Sequence, residues 1–440
     1  MAKITFLGAG STVFVRNVIG DCMCSDVLRD SVVALYDIDG KRLAESYTIL
    51  SAMNRTINEN RLRIETYCGV ENRRRALQGA DFVINAIQVG GYEPSTVVDF
   101  EIPKKYGLRQ TIGDTLGIGG IMRALRTIPV MQDFARDMEA VCPKALLMNY
   151  TNPMAMLTGY MNRYTDVRTL GLCHSVQVCG ERLLKSLGME DQLEGRRELI
   201  AGINHMAWLL DIRDRDGVDL YPEIRKRAAE KNAGEVHNDM VRFDYIRNFG
   251  YYCTESSEHN AEYNNFYIKS KYPELIENYG IPLDEYPRRC IRHEEKWAEQ
   301  LAQLMEQEAI YHKRSREYAS GIMEAIITNT PMKIGGNVMN TGLIDNLPED
   351  ACVEVPCLID GRGVNPCHVG RLPVQLAAMN MTNINVQLMT IQAAVSRKRE
   401  DIYMAAMLDP HTSAELSIDD IRAMVDELIE AHGAYMRDYK

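Results

Sequence analysis

Aromatic residues are scarce in this chain, at 7% of 440 residues with two tryptophans, and several larger features are missing. No stretch approaches the roughly 18 uninterrupted apolar residues of a membrane helix, so no membrane partner is expected. No Lys/Arg block of nucleic-acid type occurs and the formal charge is −11, so no nucleic-acid partner is expected either. The eleven cysteines are an odd number without paired zinc spacing, which speaks against a disulfide framework. Cys22 and Cys24 read as incidental. There is no internal repeat, low-complexity segment or linker. The opening MAKITFLG enters a strand-like run at once, leaving no room for a signal peptide, and a cytoplasmic protein is expected.

What remains is an ordinary soluble composition, 46% hydrophobic and 25% charged. The length exceeds one core of usual size, which predicts two closely packed domains, at 1–200 and 201–440. In the first third, strand-like runs at 3–8, 32–37, 62–67, 82–88, 145–150 and 167–173 alternate with helix-length segments. That alternation predicts a Rossmann-like, doubly wound parallel sheet of α/β class. Past residue 200 one strand, 207–213, is followed by mainly helical sequence, so the second domain is expected to be a mainly helical α+β unit. In 373–396, Ala377, Met381, Ile384, Leu388, Ile391 and Val395 recur at helical spacing with apolar residues on other faces too. Such a helix is buried or forms an interface, and a homodimer or homotetramer is expected. Ser417, Asp420 and Gly433 punctuate a last helix.

The run 3–8 ends in Gly8-Ala9-Gly10-Ser11-Thr12. Two glycines at a strand-to-helix turn let the backbone approach a pyrophosphate, though Val13 stands where a third glycine is usual. Asp37 ends the second strand, where a carboxylate can accept both ribose hydroxyls and would repel a 2′-phosphate. The expected cofactor is therefore NAD. Asn85 is a candidate lining residue or a turn residue.

Three polar segments fall where strands should end: Asn149-Tyr150-Thr151-Asn152-Pro153, Cys173-His174-Ser175, and Gly202-Ile203-Asn204-His205-Met206. A thiolate and an imidazole brought together could hold one divalent metal with positions open for substrate oxygens. The same residues also read as a buried cysteine and two packing histidines, and their spacing does not choose between the two.

Taken with Glu-Ser-Ser-Glu-His-x-x-Glu-Tyr at 255–263, Leu-Asp-Glu-Tyr-Pro-Arg-Arg-Cys at 283–290, Gly-Leu-Ile-Asp-Asn-Leu-Pro at 342–348 and Thr-Asn-Ile-Asn-Val-Gln at 382–387, these motifs resemble glycoside hydrolase family 4, most closely its α-galactosidase branch. The likeness runs over nearly the whole chain. It implies a hydrolase of α-galactosides that uses NAD and a divalent metal, usually Mn²⁺, without net redox change. The implied course is oxidation at C3 of the sugar, removal of the C2 proton, loss of the aglycone, addition of water and re-reduction. Carried over residue by residue, Cys173 and His205 match the metal ligands, and Asn152 and Asn204 match the sugar contacts. His174 stands where the phospho-sugar branch has an acid. Tyr263 is the candidate C2 base with His259 as the alternative, and Arg289 is expected to bind sugar.

The loop Gly90–Ser95 has serine where the phospho-glycosidase branch places an arginine, which predicts unphosphorylated substrates. Asp114–Gly120, leading into the helix with Arg123 and Arg126, is expected to be a mobile segment near cofactor and sugar. The nearest alternatives are an α-glucosidase or α-hexuronidase of the same family. More distant ones are a malate/lactate-type dehydrogenase and an NAD-sensing regulator without catalysis.

Overall fold

The computed structural model describes residues 1–305, 307 and 309–440. Six strands form the expected parallel sheet: β1 (Lys3–Leu7), β2 (Val32–Asp37), β3 (Arg63–Cys68), β4 (Phe82–Asn85), β5 (Leu146–Asn149) and β6 (Thr169–Gly171). Their order is β3-β2-β1-β4-β5-β6, the arrangement that leaves a ligand crevice where β1 and β4 diverge to opposite sides. The short apolar runs suit this sheet because its strands are covered on both faces: Ile4, Phe6, Leu7, Val33, Ala34 and Leu35 have no exposed surface.

The second half carries more strand than its sequence suggests. β7 (Arg197–Ile203), β8 (Met206–Arg213), β9 (Tyr252–Cys253), β10 (Met332–Met339), β11 (Cys352–Asp360) and β12 (Gly363–Pro366) continue the same sheet, making it 12-stranded. β10 contains Gly335 and Gly336, and β11 contains Glu354 and Pro356, so neither reads as an apolar run. Residue 200 lies inside β7, and the sheet passes without a break from one half to the other through the antiparallel β6–β10 and β11–β7 pairs.

The helix Val374–Ser396 is long, as expected: Leu376, Met379, Ile384, Val386 and Ile391 are buried among neighbouring helices, while Val374 and Val395 are exposed. Helix Ile418–His432 begins as predicted, with Ser417 Oγ accepting Asp420 N–H at 3.1 Å. No helix among the described residues is long and apolar enough to cross a membrane. Arg126, in the helix that follows 114–120, is sealed in the core. It pairs with Asp99 at 2.6 Å, and His432 joins the same carboxylate at 2.9 Å.

Candidate active site

At the end of β1 the chain turns into the helix Thr12–Met23. The N–H groups of Gly8 and Ala9 both donate to Tyr36 O at 3.0 Å, tying the turn to β2. Gly8 has φ +85°, and a Cβ there would stand 2.7 Å from Ala86 O, so a side chain does not fit. Asp37 accepts Gly10 N–H at 2.6 Å and Asp39 N–H at 2.9 Å. A carboxylate has about four lone-pair sites, which leaves room for the ribose hydroxyls. Ser11 is exposed and the helix start has no side-chain cap, a setting suited to a phosphate. Thr12 and Asn85 are placed otherwise. Thr12 faces inward, accepting a bond from Ser46 at 2.9 Å. Asn85 is sealed between strand ends and donates to Asn149 Oδ1 and Thr151 Oγ1. Both support the nucleotide wall from behind and neither lines the cavity.

A cavity of about 450 Å³ opens beside this turn, with Ser11, Tyr150, Cys173, His174, His205 and Glu255 in its wall. Among the described residues, Cys173, His205 and Glu255 form the one group able to hold a metal, with ligand atoms all within 4.8 Å of one another. Cys173 follows β6, and His205 sits in the β7–β8 turn. Two strands separate them in the sheet, bridged by the cross-strand row Gly171, Asn337, Glu354, Gly202. Asn337 Nδ2 donates to Glu354 Oε1 at 2.9 Å. Sulfur, nitrogen and carboxylate oxygen together suit a borderline transition metal or manganese better than magnesium or calcium.

His205 and Glu255 have φ of 63° and 65°. Left-handed backbone at residues other than glycine costs about 1–3 kcal/mol each and collects at ligand-holding sites. Burial opposes ionisation of Glu255, but His205, His259 and Arg242 outweigh it and bring the carboxyl down to about 2. Burial pushes the Cys173 thiol up, and Glu354 and Glu255 push it further. Without a cation the thiol is held neutral; a bound cation reverses that. Glu255 was not singled out from the sequence. Its one signal is the Glu-x-x-x-His spacing to His259 in the quoted motif.

His205 Nδ1 lies 3.2 Å from the Tyr263 hydroxyl, while Nε2 faces Glu255 at 3.6 Å. Tyr263 has no exposed surface and does not line the cavity. Its placement is that of an outer group orienting a ligand imidazole. His259 does line the cavity: Ser256 Oγ lies 2.7 Å from its Nδ1, and Nε2 faces Asp114 Oδ1 at 3.8 Å. Burial and His205 lower its pKa while Glu255 and Asp114 oppose them. His174 stands exposed at the rim, flanked by Phe14, Tyr150 and Tyr318, with Nε2 2.5 Å from Glu317 Oε2.

Asn152 lines the cavity and donates to Asp114 Oδ2 at 3.2 Å. Asn204 is buried with neither amide atom partnered and does not reach the cavity wall. Arg289 reaches the wall and pairs with Glu258 at 2.6 Å. Arg123 lies over the Tyr286 ring at 5.2 Å and donates to Thr96. Ser95 has no exposed surface, so position 95 is closed to a substrate. Asp114 and Glu317 are further residues the sequence left without a role; Glu317 meets His174 across 143 residues, and Asp114 follows a loop that Thr111 ties to Glu262 across 151.

A dinucleotide-type sheet whose strand ends open on a polar cavity, with metal-ligating groups in the wall, defines an α/β enzyme of the Rossmann class. The family 4 glycosyl hydrolase model matches residues 3–189, and that of the family 4 C-terminal domain matches residues 200–412. The chain belongs to glycosyl hydrolase family 4 and is a glycosidase, as its motifs implied. It is 59% identical over 440 residues to an α-galactosidase of Bacillus subtilis (strain 168), covering 100% of both chains. The structure of the Bacillus subtilis protein lplD superposes with a TM-score of 0.86 at 26% identity, covering 97% of this chain and 99% of that one. A 6-phospho-α-glucosidase from gut microorganisms, solved with NAD and Mn²⁺, has the same fold: TM-score 0.80, 19% identity, 99% of this chain and 98% of that one.

Proposed function

We propose that this protein hydrolyses unphosphorylated α-galactosides with NAD⁺ and a divalent cation, manganese by preference, held side by side. The observation that carries this reading is that Ser11, at the glycine turn, and the Cys173/His205/Glu255 cluster share one cavity. The galactoside preference rests on the 59% identical relative named as an α-galactosidase. The unphosphorylated preference rests on the closed position 95 and on the engagement of two of the wall's three arginines, Arg123 against Tyr286 and Arg289 against Glu258, the third, Arg182, being exposed.

When bound, NAD⁺ supplies a reversible hydride acceptor for C3 of the sugar, and the cation supplies a Lewis acid that makes the C2 hydrogen acidic. Cys173, His205 and Glu255 would hold the cation, with Tyr263 fixing the ring of His205 through Nδ1. His259 Nε2 faces the cavity and takes the C2 proton. Its pKa is lowered, so the imidazole is neutral and ready to accept, while Asp114 and Glu255 stabilise the cation it becomes. His174, with Glu317 behind it, gives a proton to the departing aglycone oxygen and takes one from the incoming water. The proton on His259 exchanges with solvent before one is delivered back to C2, leaving the protein unchanged. Asp114 and Asn152 contact the sugar hydroxyls.

Rates on aryl α-galactoside, α-glucoside, α-hexuronide and a 6-phosphorylated α-galactoside, with Mn²⁺ and catalytic NAD⁺, test the reading. The α-galactoside is expected to have the highest kcat/KM with no accumulation of NADH. A better 6-phosphorylated substrate, or NADH formed in step with product, would overturn it. Y263F should weaken Mn²⁺ binding and keep the C2 isotope effect, whereas H259A should abolish turnover and keep Mn²⁺ binding.

A further inference from the structure

We propose that Glu262 is a positioning residue that sets the sugar-facing carboxylate of Asp114, through a clamp on the loop that carries it. Glu262 ends the helix Ser257–Glu262 and is 3% exposed. Its Oε2 accepts Thr111 N–H at 2.7 Å and its Oε1 accepts Gly113 N–H at 2.8 Å, with Ile112 N–H 3.3 Å from both oxygens. A carboxylate receiving several backbone N–H groups is a strong, directional anchor. The next residue in the loop, Asp114, faces the cavity.

Other bonds finish the clamp around that anchor. Thr111 Oγ1 donates to Glu258 O at 2.7 Å, so the same helix grips the loop twice. Gln110 joins Asp99 O to Gly119 N–H at 2.8 and 3.2 Å. Tyr286 N–H donates to Thr111 O at 3.0 Å, and Asp284 N–H to Gln110 O at 2.8 Å. Helix Gly117–Val141 comes so close that a Cβ on Gly119 would lie 2.3 Å from Gly113 O. Residues 110–113, which lead into the segment expected to be mobile, are therefore pinned on three sides.

The helix with Glu262 at its end also carries His259 in the cavity wall and Glu258 against Arg289. One short helix thus fixes the relative positions of Asp114, His259 and Arg289, which come from three distant parts of the chain. Glu262 does not line the cavity; it acts on the sugar only through Asp114. Burial raises its carboxyl to about 7 against the pull of the loop N–H groups, a cost that a purely apolar contact here would not incur.

The inference rests on Asp114 being a sugar contact, and a double-mutant cycle on the NAD⁺- and Mn²⁺-loaded enzyme separates the two claims. E262Q keeps the shape but turns a donor toward the loop amides. It is expected to raise KM for an aryl α-galactoside about tenfold and to lower kcat less, with NAD⁺ and Mn²⁺ affinities within about twofold. In a D114N background the same change should add less than about twofold, because the residue it positions has already lost its charge. A lower melting temperature with unchanged KM, or effects that multiply in the double variant, would overturn the inference. D114N with unchanged KM and kcat would instead overturn the reading of Asp114. If E262Q does not fold, T111V cuts the bond to Glu258 alone. It should raise KM about threefold in the wild-type background and not in D114N, and an unchanged KM there would equally overturn the inference.

Discussion

The two walls of the cavity are built in different ways. The nucleotide wall comes from strand ends and one tight turn, and its defining side-chain bond, Gly10 N–H to Asp37, spans 27 residues. The sugar and metal wall is closed by polar bonds across much longer stretches: 58 residues from His205 to Tyr263, 143 from His174 to Glu317, and 151 from Thr111 to Glu262. Two of the three residues able to hold a metal there sit on left-handed backbone. The first wall follows from the topology of a parallel sheet. The second exists only when distant segments have docked, so single deletions there should do more damage to chemistry than to nucleotide binding.

The largest effect should come from the metal cluster. H205A or C173A should lose tight Mn²⁺ binding and lower kcat/KM by about a thousandfold or more, with NAD⁺ affinity held within about twofold. Isothermal titration with each ligand decides it, and an equal loss of NAD⁺ affinity would break the division between the walls. The reciprocal cut is D37A, which removes the acceptor of Gly10 N–H and should weaken NAD⁺ about tenfold while leaving Mn²⁺ binding intact.

A smaller effect is expected from E317Q, which leaves His174 in place but removes its carboxylate partner. Turnover should fall about tenfold for an alkyl α-galactoside and much less for an aryl one with a good leaving group. Equal losses on both would mean that Glu317 only packs the rim.

The smallest effect concerns Glu354, buried in the row between the two ligand-bearing strands, where burial raises its carboxyl to about 7 from the ordinary 4.5. A carboxyl raised by folding is protonated in the folded chain while still ionised in the unfolded one. Its unfavourable contribution is therefore absent below about pH 4.5 and complete above about pH 7, so stability falls as pH rises between them. Metal-free E354Q should show a flatter melting temperature than wild type from pH 5 to pH 7. Parallel profiles would mean that Glu354 is ionised in the folded protein throughout that range.

The same division explains what could be read from the sequence. The six parallel strands, the glycine turn, Asp37 and the cap at Ser417 are local patterns, and the structure has them within a residue or a few of their expected places. Cys173 and His205 were legible as a pair through their motifs, and both face one cluster. β10 and β11 were not, because Gly335, Gly336, Glu354 and Pro356 interrupt their apolar pattern. The depth of Tyr263 was not either, since its motif says only that it lies near His259. Asn85 and Asn204 have the composition of lining residues, yet each is buried away from the cavity by its neighbours across the sheet or turn. Spacing along the chain reports which element a residue occupies; it does not report which way a side chain faces after distant elements close.

The central claim is that the cavity brings together a nucleotide, a divalent cation and a base from the chain to remove the C2 proton of a galactoside. Hydrolysis of an aryl α-galactoside in D₂O with Mn²⁺ and catalytic NAD⁺ tests it directly, by NMR of the released sugar. Deuterium at C2 of galactose is predicted, and it should disappear with activity in H259A. Galactose released at full rate with its C2 hydrogen retained would contradict the account.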